Sequence, residues 1–199
     1  MIYHEAIVVG GGLAGLRAAI ELNRHNVKVA VISKVHPLRS HSVAAQGGIN
    51  APLGNHPRGI YDTWEKHAFD TVKGSDYLAD QDAVIRMTKD AANRIYEMEH
   101  WGCPFSRTIE GKIAQRPFGG AGFPRTCYAA DKAGHVLLHT LYQQIIKFKQ
   151  TSERKEMVVY EEWMVVELVV EDGVCVGVIA LDIMSGRLEA FQAGTVIFA

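Results

Sequence analysis

A histidine set among small residues is the part of this sequence best suited to chemistry. His41 lies within the stretch Arg39-Ser40-His41-Ser42-Val43-Ala44-Ala45-Gln46-Gly47-Gly48. The small neighbours leave room for a bulky, flat ligand against the backbone. The surrounding segment, residues 36–50, has neither helical nor strand periodicity, and a loop of this length inside a domain is usually either functional or disordered. A histidine flanked by serines is by itself also typical of a solvated loop.

A glycine-rich turn near the amino terminus indicates phosphate binding. It has the sequence Gly10-Gly11-Gly12-Leu13-Ala14-Gly15 and follows the apolar run 6–9, which we expect to be a buried strand. Apolar residues at helical spacing over 16–24 and a second apolar run over 27–32 complete a strand, turn, helix and strand. This context predicts a dinucleotide-binding fold, with phosphates held by the free N–H groups at the helix start.

Single positions in this unit have separate expected roles. Gly10 allows a tight turn, Gly12 lets the backbone approach a pyrophosphate, and Gly15 lets helix and strand pack closely. The second strand ends in Ser33-Lys34, whereas NAD-type folds usually place Asp or Glu there to hold ribose hydroxyls. This departure weakens an NAD interpretation, although a serine can hydrogen-bond a hydroxyl and a lysine can face a phosphate.

The rest of the chain predicts helices followed by a β-meander. Helical spacing indicates helices over 80–101, with Asp80 as N-cap, and over 131–149, whereas 108–126 is polar and glycine-rich and is expected to be a loop. The charged stretch 150–156 is expected to be a surface connection. Asp-Gly and Ser-Gly turn signals then separate expected strands at 157–160, 163–170, 174–182, 187–191 and 195–199. We therefore expect an α/β fold in which a meander lies against a parallel sheet.

Composition argues against several classes of function. The 199 residues are 48% hydrophobic and 22% charged, and the net charge of -1 argues against electrostatic nucleic-acid binding. Cys103, Cys127 and Cys175 are far apart and are expected to be free thiols in a reducing compartment. His135 and His139 have i, i+4 spacing, but the sequence offers no third ligand. We therefore expect the two histidines to have a structural role and not to bind a metal.

The sequence also predicts a soluble, intracellular protein. No apolar run approaches the roughly 20 residues that span a bilayer. Because the first residues lead directly into a strand, we expect no signal or transit peptide.

The segment around His41 closely resembles the flavin-attachment segment of the succinate dehydrogenase and fumarate reductase flavoprotein family. The resemblance covers essentially the whole chain and rests on these blocks: Arg39–Ala51, Tyr61–Thr63, Asp70–Tyr77, Asp80–Ala83, Pro104–Arg107, Gln115–Gly120 and Ala129–His135. It implies a Rossmann-like FAD-binding fold of the glutathione-reductase type with a β-meander. A single domain is expected over 1–199, as the amino-terminal part of an FAD-binding domain that stops before the family's capping and carboxy-terminal domains.

The resemblance implies covalent FAD, because the family's attaching histidine matches His41. The bond would join an imidazole nitrogen to a ring methyl of the flavin after that methyl has lost a proton. The tether positions the ring and favours its role as an electron acceptor. Other residues implied to contact the flavin, ribose, phosphates or adenine complete the following set: Gly10, Gly11, Gly12, Leu13, Ala14, Gly15, Ser33, Lys34, Arg39, Ser40, His41, Ser42, Ala44, Ala45, Gln46, Gly47, Gly48 and Met164.

The family's dicarboxylate site is implied only in part. Phe118 would line it, with Gln46 and Gly47 toward the substrate. The following loop, residues 121–124, is shorter than in many relatives, so the border of the dicarboxylate site is expected to differ from theirs. The arginine that takes the second proton and the groups that clamp both carboxylates lie beyond Ala199 in relatives. We therefore expect no proton-transfer residues in this chain, and no activity from it alone.

The implied function is that of an oxidoreductase acting on CH–CH groups. A succinate dehydrogenase flavoprotein subunit oxidises succinate to fumarate by hydride transfer to the flavin ring nitrogen. A fumarate reductase flavoprotein subunit has the same motifs, so the direction of the reaction is left open. L-Aspartate oxidase shares the fold but binds FAD without the tether, so His41 argues against it. A non-catalytic nucleotide-binding module would have no use for the long loop around His41.

The resemblance also implies partners. In the family, electrons pass to an iron–sulfur subunit that sits on membrane-anchor subunits and communicates with quinone. The sequence contains no cluster-type cysteine set, so the clusters are expected on a partner. The implied location is peripheral, on the cytoplasmic face of the cell membrane, in electron transport and the tricarboxylic acid cycle.

Overall fold

A computed structural model describes residues 1–150 and 156–199. The chain divides into two compact units, the first formed by Met1–Val43 and Leu138–Ala199 and the second by Ala44–Leu137. The strands are β1 (Ile2–Val9), β2 (Val29–Ser33), β3 (Ile49–Asn50), β4 (Gln115–Arg116), β5 (Thr126–Cys127), β6 (Met157–Glu161), β7 (Trp163–Glu171), β8 (Val174–Asp182) and β9 (Leu188–Phe198). The helices are α1 (Leu13–Arg24), α2 (Trp64–Gly74), α3 (Gln81–His100) and α4 (Ala133–Gln150). Most of the expected charged connection over 150–156 lies outside the described residues.

The first unit is organised by a six-stranded sheet in the order β6-β2-β1-β9-β8-β7. Strands β6, β2, β1 and β9 run parallel, and the β7–β8 and β8–β9 pairs are antiparallel. One hydrophobic cluster joins the two halves and includes Ile7, Ile32, Val178 and Phe191. The expected α/β, Rossmann-like fold with a β-meander is confirmed, and the meander continues the parallel sheet edge to edge.

The sequence of the β1–α1–β2 segment explains why it forms this unit. All five residues of β2 are buried, as a continuous apolar run predicts for a parallel strand covered on both faces. Helix α1 buries the stripe Leu16, Ala19 and Ile20. Close packing is possible because position 15 is glycine: a Cβ atom there would lie 2.0 Å from the carbonyl oxygen of Gly10.

Two strand predictions differ from the structure. Residues 187–191 and 195–199 were expected to be separate strands, but β9 is continuous from Leu188 to Phe198. Strand β9 pairs with β1 from Ile2↔Phe191 to Val9↔Phe198. This pairing keeps the strand extended through Gly194, where the glycine alone suggests a break. For the same reason β1 begins at Ile2, four residues before the apolar run that predicted it.

The second unit contains the α2 and α3 helices and a small sheet in the order β3-β5-β4. Helix α3 is confirmed together with its N-cap, since Asp80 Oδ1 accepts a hydrogen bond from the Ala83 amide at 3.1 Å. Helix α2, capped by Thr63, was not predicted. The segments 36–50 and 108–126 were expected to be loops, but they include β3, β4 and the 3₁₀ turns Pro37–Arg39 and His41–Ala44.

A buried ion cluster organises the second unit. The Arg125 side chain is 1% exposed and donates from Nε and Nη2 to the two carboxylate oxygens of Asp62, both at 2.8 Å. Its Nη1 atom lies 2.8 Å from Asp70 Oδ2. The same Asp70 oxygen accepts a hydrogen bond from the Gly122 amide at 2.8 Å. The cluster therefore ties helix α2 to the segment that leads into β5.

Candidate functional site

A cleft of about 380 Å³ lies at the glycine turn of the first unit. The turn follows the carboxyl end of β1, where α/β sheets bind nucleotides. The residues that line the cleft are Gly10, Gly11, Gly12, Leu13, Ala14, Ser33, Lys34, Val35, Ser40, His41, Ser42 and Ala199. The structure thus brings together the turn, the end of β2 and the serine–histidine–serine stretch, which are far apart in sequence.

The turn is glycine because side chains do not fit there. Gly10 has φ +118°, and a Cβ atom on it would lie 2.0 Å from the Ala199 carbonyl oxygen. A Cβ on Gly11 would lie 2.6 Å from Ser33 Oγ. Bare backbone consequently faces the cleft, as close approach to a pyrophosphate requires.

The amino terminus of α1 fits the phosphates of a dinucleotide. The helix has no acidic residue in its first turn, and its N-cap residue Gly12 forms no side-chain cap, so the positive end of the helix dipole remains available. Ser42 Oγ accepts a hydrogen bond from the Leu13 amide at 3.2 Å. Ser40 Oγ is buried and has no hydrogen-bond partner among the described residues, which leaves one hydroxyl of the cleft for a polar ligand.

His41 is exposed at the start of a 3₁₀ turn and lines the same cleft. Lys34 is also exposed and lines the same cleft. Ser33 is 2% exposed and donates its hydroxyl hydrogen to the Val35 carbonyl oxygen at 2.6 Å, so toward a ligand it can only accept. The cleft therefore presents His41 and Lys34 as its titratable side chains.

The remaining residues of the implied cofactor set lie outside the lining of this cleft. Arg39 ends a 3₁₀ turn in which its amide donates to the His36 carbonyl oxygen at 2.7 Å. Met164 lies in β7 opposite Leu181. Ala44 and Ala45 belong to the second unit, where the Ala45 carbonyl oxygen accepts from the Gly134 amide at 2.7 Å.

A second group, within the second unit, brings together Gln46, Gly47 and Phe118. A Cβ atom on Gly47 would lie 2.7 Å from Phe118 Cζ, so the ring covers this glycine. Arg116 donates from Nε to the Gly47 carbonyl oxygen at 3.2 Å and from Nη2 to the Gln46 carbonyl oxygen at 3.3 Å. Its guanidinium lies 4.4 Å from the centroid of the Tyr128 ring. The role of Arg116 could not be predicted, because nothing in the local sequence pattern indicates that it holds a segment 69 residues away.

Gly48 has a structural reason to be glycine. It has φ +124°, and a Cβ atom there would lie 2.4 Å from the Cys127 carbonyl oxygen. The absence of a side chain thus permits the close pairing of β3 with β5.

The cysteines and the metal-ligating types of side chain form no further centre within the described part of the chain. Cys103, Cys127 and Cys175 are not joined in disulfides, as predicted. Burial raises the pKa of Cys127 to about 12. Within residues 1–150 and 156–199, no group of three or more His, Cys, Asp or Glu side chains is placed to hold a metal ion. In the same described ranges, no helix combines the length and the apolar character needed to cross a membrane.

Comparison with known proteins identifies the family. A family model described as an FAD binding domain matches residues 5–199. The chain belongs to this FAD-binding family. The match includes the glycine turn, the His41 stretch and the meander, so the cleft belongs to a domain type that binds FAD.

The chain is similar to proteins named as flavoprotein subunits of succinate dehydrogenase and fumarate reductase. The chain is 47% identical to the succinate dehydrogenase flavoprotein subunit of Rickettsia conorii, over 100% of the chain and 33% of that protein. It is 45% identical to the fumarate reductase flavoprotein subunit of Mycobacterium tuberculosis, over 98% of the chain and 32% of that protein. The solved E. coli quinol fumarate reductase FrdA matches with a TM-score of 0.90 and 40% identity, over 100% of this chain and 32% of that one.

These relatives confirm the resemblance of the His41 segment and the other sequence blocks to the succinate dehydrogenase and fumarate reductase flavoprotein family. The chain spans about a third of the length of the curated relatives that it matches. The succinate dehydrogenase and fumarate reductase names occur at similar identity, so they do not separate the two directions of reaction.

Proposed function

We propose that this chain is the flavin-binding part of a succinate dehydrogenase or fumarate reductase flavoprotein subunit, with FAD attached covalently to His41. The observation that carries the proposal is the position of His41 on a cleft whose floor is the glycine turn of an FAD-binding domain. The identity of 47% to a named succinate dehydrogenase flavoprotein subunit, over the whole chain, supports the same function.

The residues of the first unit bind and hold the cofactor in this proposal. The start of α1 and the hydroxyls of Ser40 and Ser42 hold the phosphates through charge–dipole and hydrogen-bond contacts. His41 supplies an imidazole nitrogen for the covalent bond. Bound FAD supplies the site that accepts a hydride from succinate.

The residues of the second unit position the dicarboxylate. Phe118 provides an apolar wall, while the backbone at Gln46 and Gly47 faces the substrate. Arg116 fixes that backbone because it binds both carbonyl oxygens. Productive hydride transfer depends on such positioning, since small misplacements of reacting groups cost large factors in rate.

The proposal extends to partners and location. Relatives are flavoprotein subunits of succinate dehydrogenase and fumarate reductase, so we propose an iron–sulfur subunit and membrane-anchor subunits as partners. Through them the chain would be peripheral at the cytoplasmic face of the membrane.

Mass spectrometry of the denatured protein tests the covalent bond. Protein purified from its native host should carry an added mass equal to FAD, and His41→Ala should remove it. His25→Ala serves as the matched control, because His25 is also an exposed histidine of the first unit and should leave the added mass in place. Unmodified protein from the native host, or attachment that survives His41→Ala, would refute the tether.

Activity tests the other half of the proposal. The protein isolated with its native partners should reduce a dye when succinate is added, or oxidise a reduced dye when fumarate is added. Retained FAD without either reaction would refute the assignment of substrate but would leave the assignment of cofactor intact.

A further inference from the structure

The end of β2 lacks a group that can serve both ribose hydroxyls of an adenosine. Dinucleotide folds usually place a carboxylate there, which accepts hydrogen bonds from the ribose. Here the position is Ser33, whose hydroxyl hydrogen is donated to the Val35 carbonyl oxygen at 2.6 Å. Its oxygen also lies beneath the turn, 2.6 Å from where a Gly11 side chain would begin. Another acceptor at the same edge of the sheet is therefore needed.

Glu161 supplies a carboxylate at that edge. It is the last residue of β6, which runs parallel to β2, and it is the register partner of Ser33. Neighbouring strands are about 4.8 Å apart, so Glu161 is one strand away from the usual position of the acid. Its side chain is 35% exposed, which leaves it accessible to a ligand.

Two aromatic side chains hold Glu161 in place. Tyr142, on α4, donates its hydroxyl hydrogen to Glu161 Oε1 at 2.9 Å. Burial and the adjacent carboxylate raise the pKa of Tyr142 to about 12, so the phenol remains a donor at neutral pH. The donation orients the carboxylate through one oxygen.

His36 completes the cluster. Its Nδ1 atom accepts from the Leu38 amide at 3.2 Å, so the proton of a neutral ring is on Nε2. That Nε2 atom lies 3.4 Å from the Tyr142 hydroxyl oxygen and 3.6 Å from Glu161 Oε1. His36 also follows directly after the cleft residues Ser33, Lys34 and Val35. The cluster thus connects the carboxylate to the loop that borders the cleft.

We propose that Glu161 recognises the ribose hydroxyls of the adenosine half of FAD, with Tyr142 as its positioning residue. Glu161 Oε1 is held by Tyr142, and Oε2 accepts from the ribose. In this chain the ribose-binding carboxylate is at the end of β6, whereas dinucleotide folds usually have it at the end of β2. Ser33, at the end of β2, has a structural role under the glycine turn. The inference rests on nucleotide binding in the cleft and is independent of the covalent bond and of succinate chemistry.

Nucleotide binding with and without ribose hydroxyls tests the inference. The probes are ADP and 2′,3′-dideoxy-ADP, measured by calorimetry on the His41→Ala protein after its flavin has been removed. A carboxylate hydrogen bond contributes roughly tenfold in affinity, so ADP should bind about tenfold or more tightly than the dideoxy analogue. Glu161→Gln should weaken ADP binding by about that factor and leave binding of the analogue within about twofold.

Matched variants separate recognition from structure. Glu162→Gln removes the neighbouring carboxylate, which lies beyond the end of β6, and should change neither affinity. Tyr142→Phe should reduce the preference for ADP without abolishing it, because the carboxylate remains but loses one orienting bond. If Glu161 had only a structural role, Glu161→Gln would weaken the binding of ADP and of the dideoxy analogue equally.

Three results would overturn the inference. The first is that Glu161→Gln weakens binding of ADP and of the dideoxy analogue by the same factor. The second is that Glu161→Gln leaves the preference for ADP over the analogue unchanged. The third is that Glu162→Gln weakens ADP binding as much as Glu161→Gln does. Failure of the His41→Ala protein to bind either nucleotide would instead refute nucleotide binding in the cleft, and with it the premise. Circular dichroism of each variant confirms that the compared proteins are folded.

Discussion

The ring of Phe118 lies directly over Gly47, so that a Cβ atom at residue 47 would be only 2.7 Å from Phe118 Cζ. Gly47→Ala should therefore push the ring aside. The ring is 52% exposed and can move, so the fold should survive while the proposed dicarboxylate wall shifts. We expect kcat/KM for succinate to fall by about tenfold or more, because displacements near 1 Å already impair positioning. Steady-state kinetics on the protein with its native partners measures this effect.

The control for this variant is Gly119→Ala in the same loop. No atom of the described residues lies within 4 Å of a Cβ atom built on Gly119, so kcat/KM should remain close to that of the unaltered protein. If kcat/KM fell equally in Gly47→Ala and Gly119→Ala, displacement of the Phe118 ring would not be the cause of the loss.

Gly15→Ala should destabilise the first unit. The added Cβ would lie 2.0 Å from the Gly10 carbonyl oxygen, and backbone cannot move aside as a flexible side chain can. Overpacking of this kind costs about 1–3 kcal/mol or more. Urea denaturation measures the loss in free energy of unfolding.

Gly74→Ala provides the comparison, since it also replaces a helical glycine. Within residues 1–150 and 156–199, no atom lies within 4 Å of its Cβ position, and alanine is a better helix former than glycine. Stability should be unchanged or slightly raised. A loss in Gly74→Ala as large as that in Gly15→Ala would contradict the steric explanation.

The β1–α1–β2 segment could be predicted because its signals are local. The glycine turn, the apolar stripe of α1 and the buried run of β2 each lie within a few residues. Helix α2 was missed because it buries only His67 and Ala68, which give a weak apolar stripe. The Thr63 N-cap was the one signal that could have revealed it.

Features that depend on distant residues could not be predicted. Arg125 and Asp62 are 63 residues apart, and neither has a neighbour pattern that indicates a buried ion pair. The two-residue strands β3, β4 and β5 are too short to show alternation. The His41 stretch was singled out by residue type and resemblance, but only the fold shows that it shares a cleft with Ser33 and the glycine turn.

Asp62→Asn should destabilise the second unit strongly. Both carboxylate oxygens accept from Arg125 at 2.8 Å, and both side chains are 1% exposed. Removing one partner of a buried ion pair costs about 3–5 kcal/mol, and Asp70 beside Arg125 limits the loss to the lower end of that range. The free energy of unfolding in urea measures it.

The control is Asp90→Asn, which removes one of the two carboxylate partners of an exposed arginine, Arg94. Asp90 and Arg94 pair at 2.8 Å, but their side chains are 51% and 44% exposed. An exposed pair contributes about 0–1 kcal/mol. If Asp62→Asn cost no more than Asp90→Asn, the buried cluster would not stabilise the unit.

Stability should fall as the pH is lowered, and His67 should account for part of the fall. His67 is 5% exposed, and burial, assisted by the charge of Arg125, lowers its pKa. Because the folded pKa lies below the unfolded value of about 6.5, the contribution of neutral His67 to stability is fully present above that value and is lost as the pH falls toward the folded pKa.

In His67→Gln the free energy of unfolding should decline less between about pH 7 and pH 5. The difference from the unaltered protein should be at most about 1.4 kcal/mol per pH unit, which is the effect of one proton. The pKa of His4 is also lowered by burial, so some dependence should remain. Identical slopes for His67→Gln and the unaltered protein, measured by urea unfolding across this range, would show that the His67 imidazole is protonated as readily in the fold as in the unfolded chain.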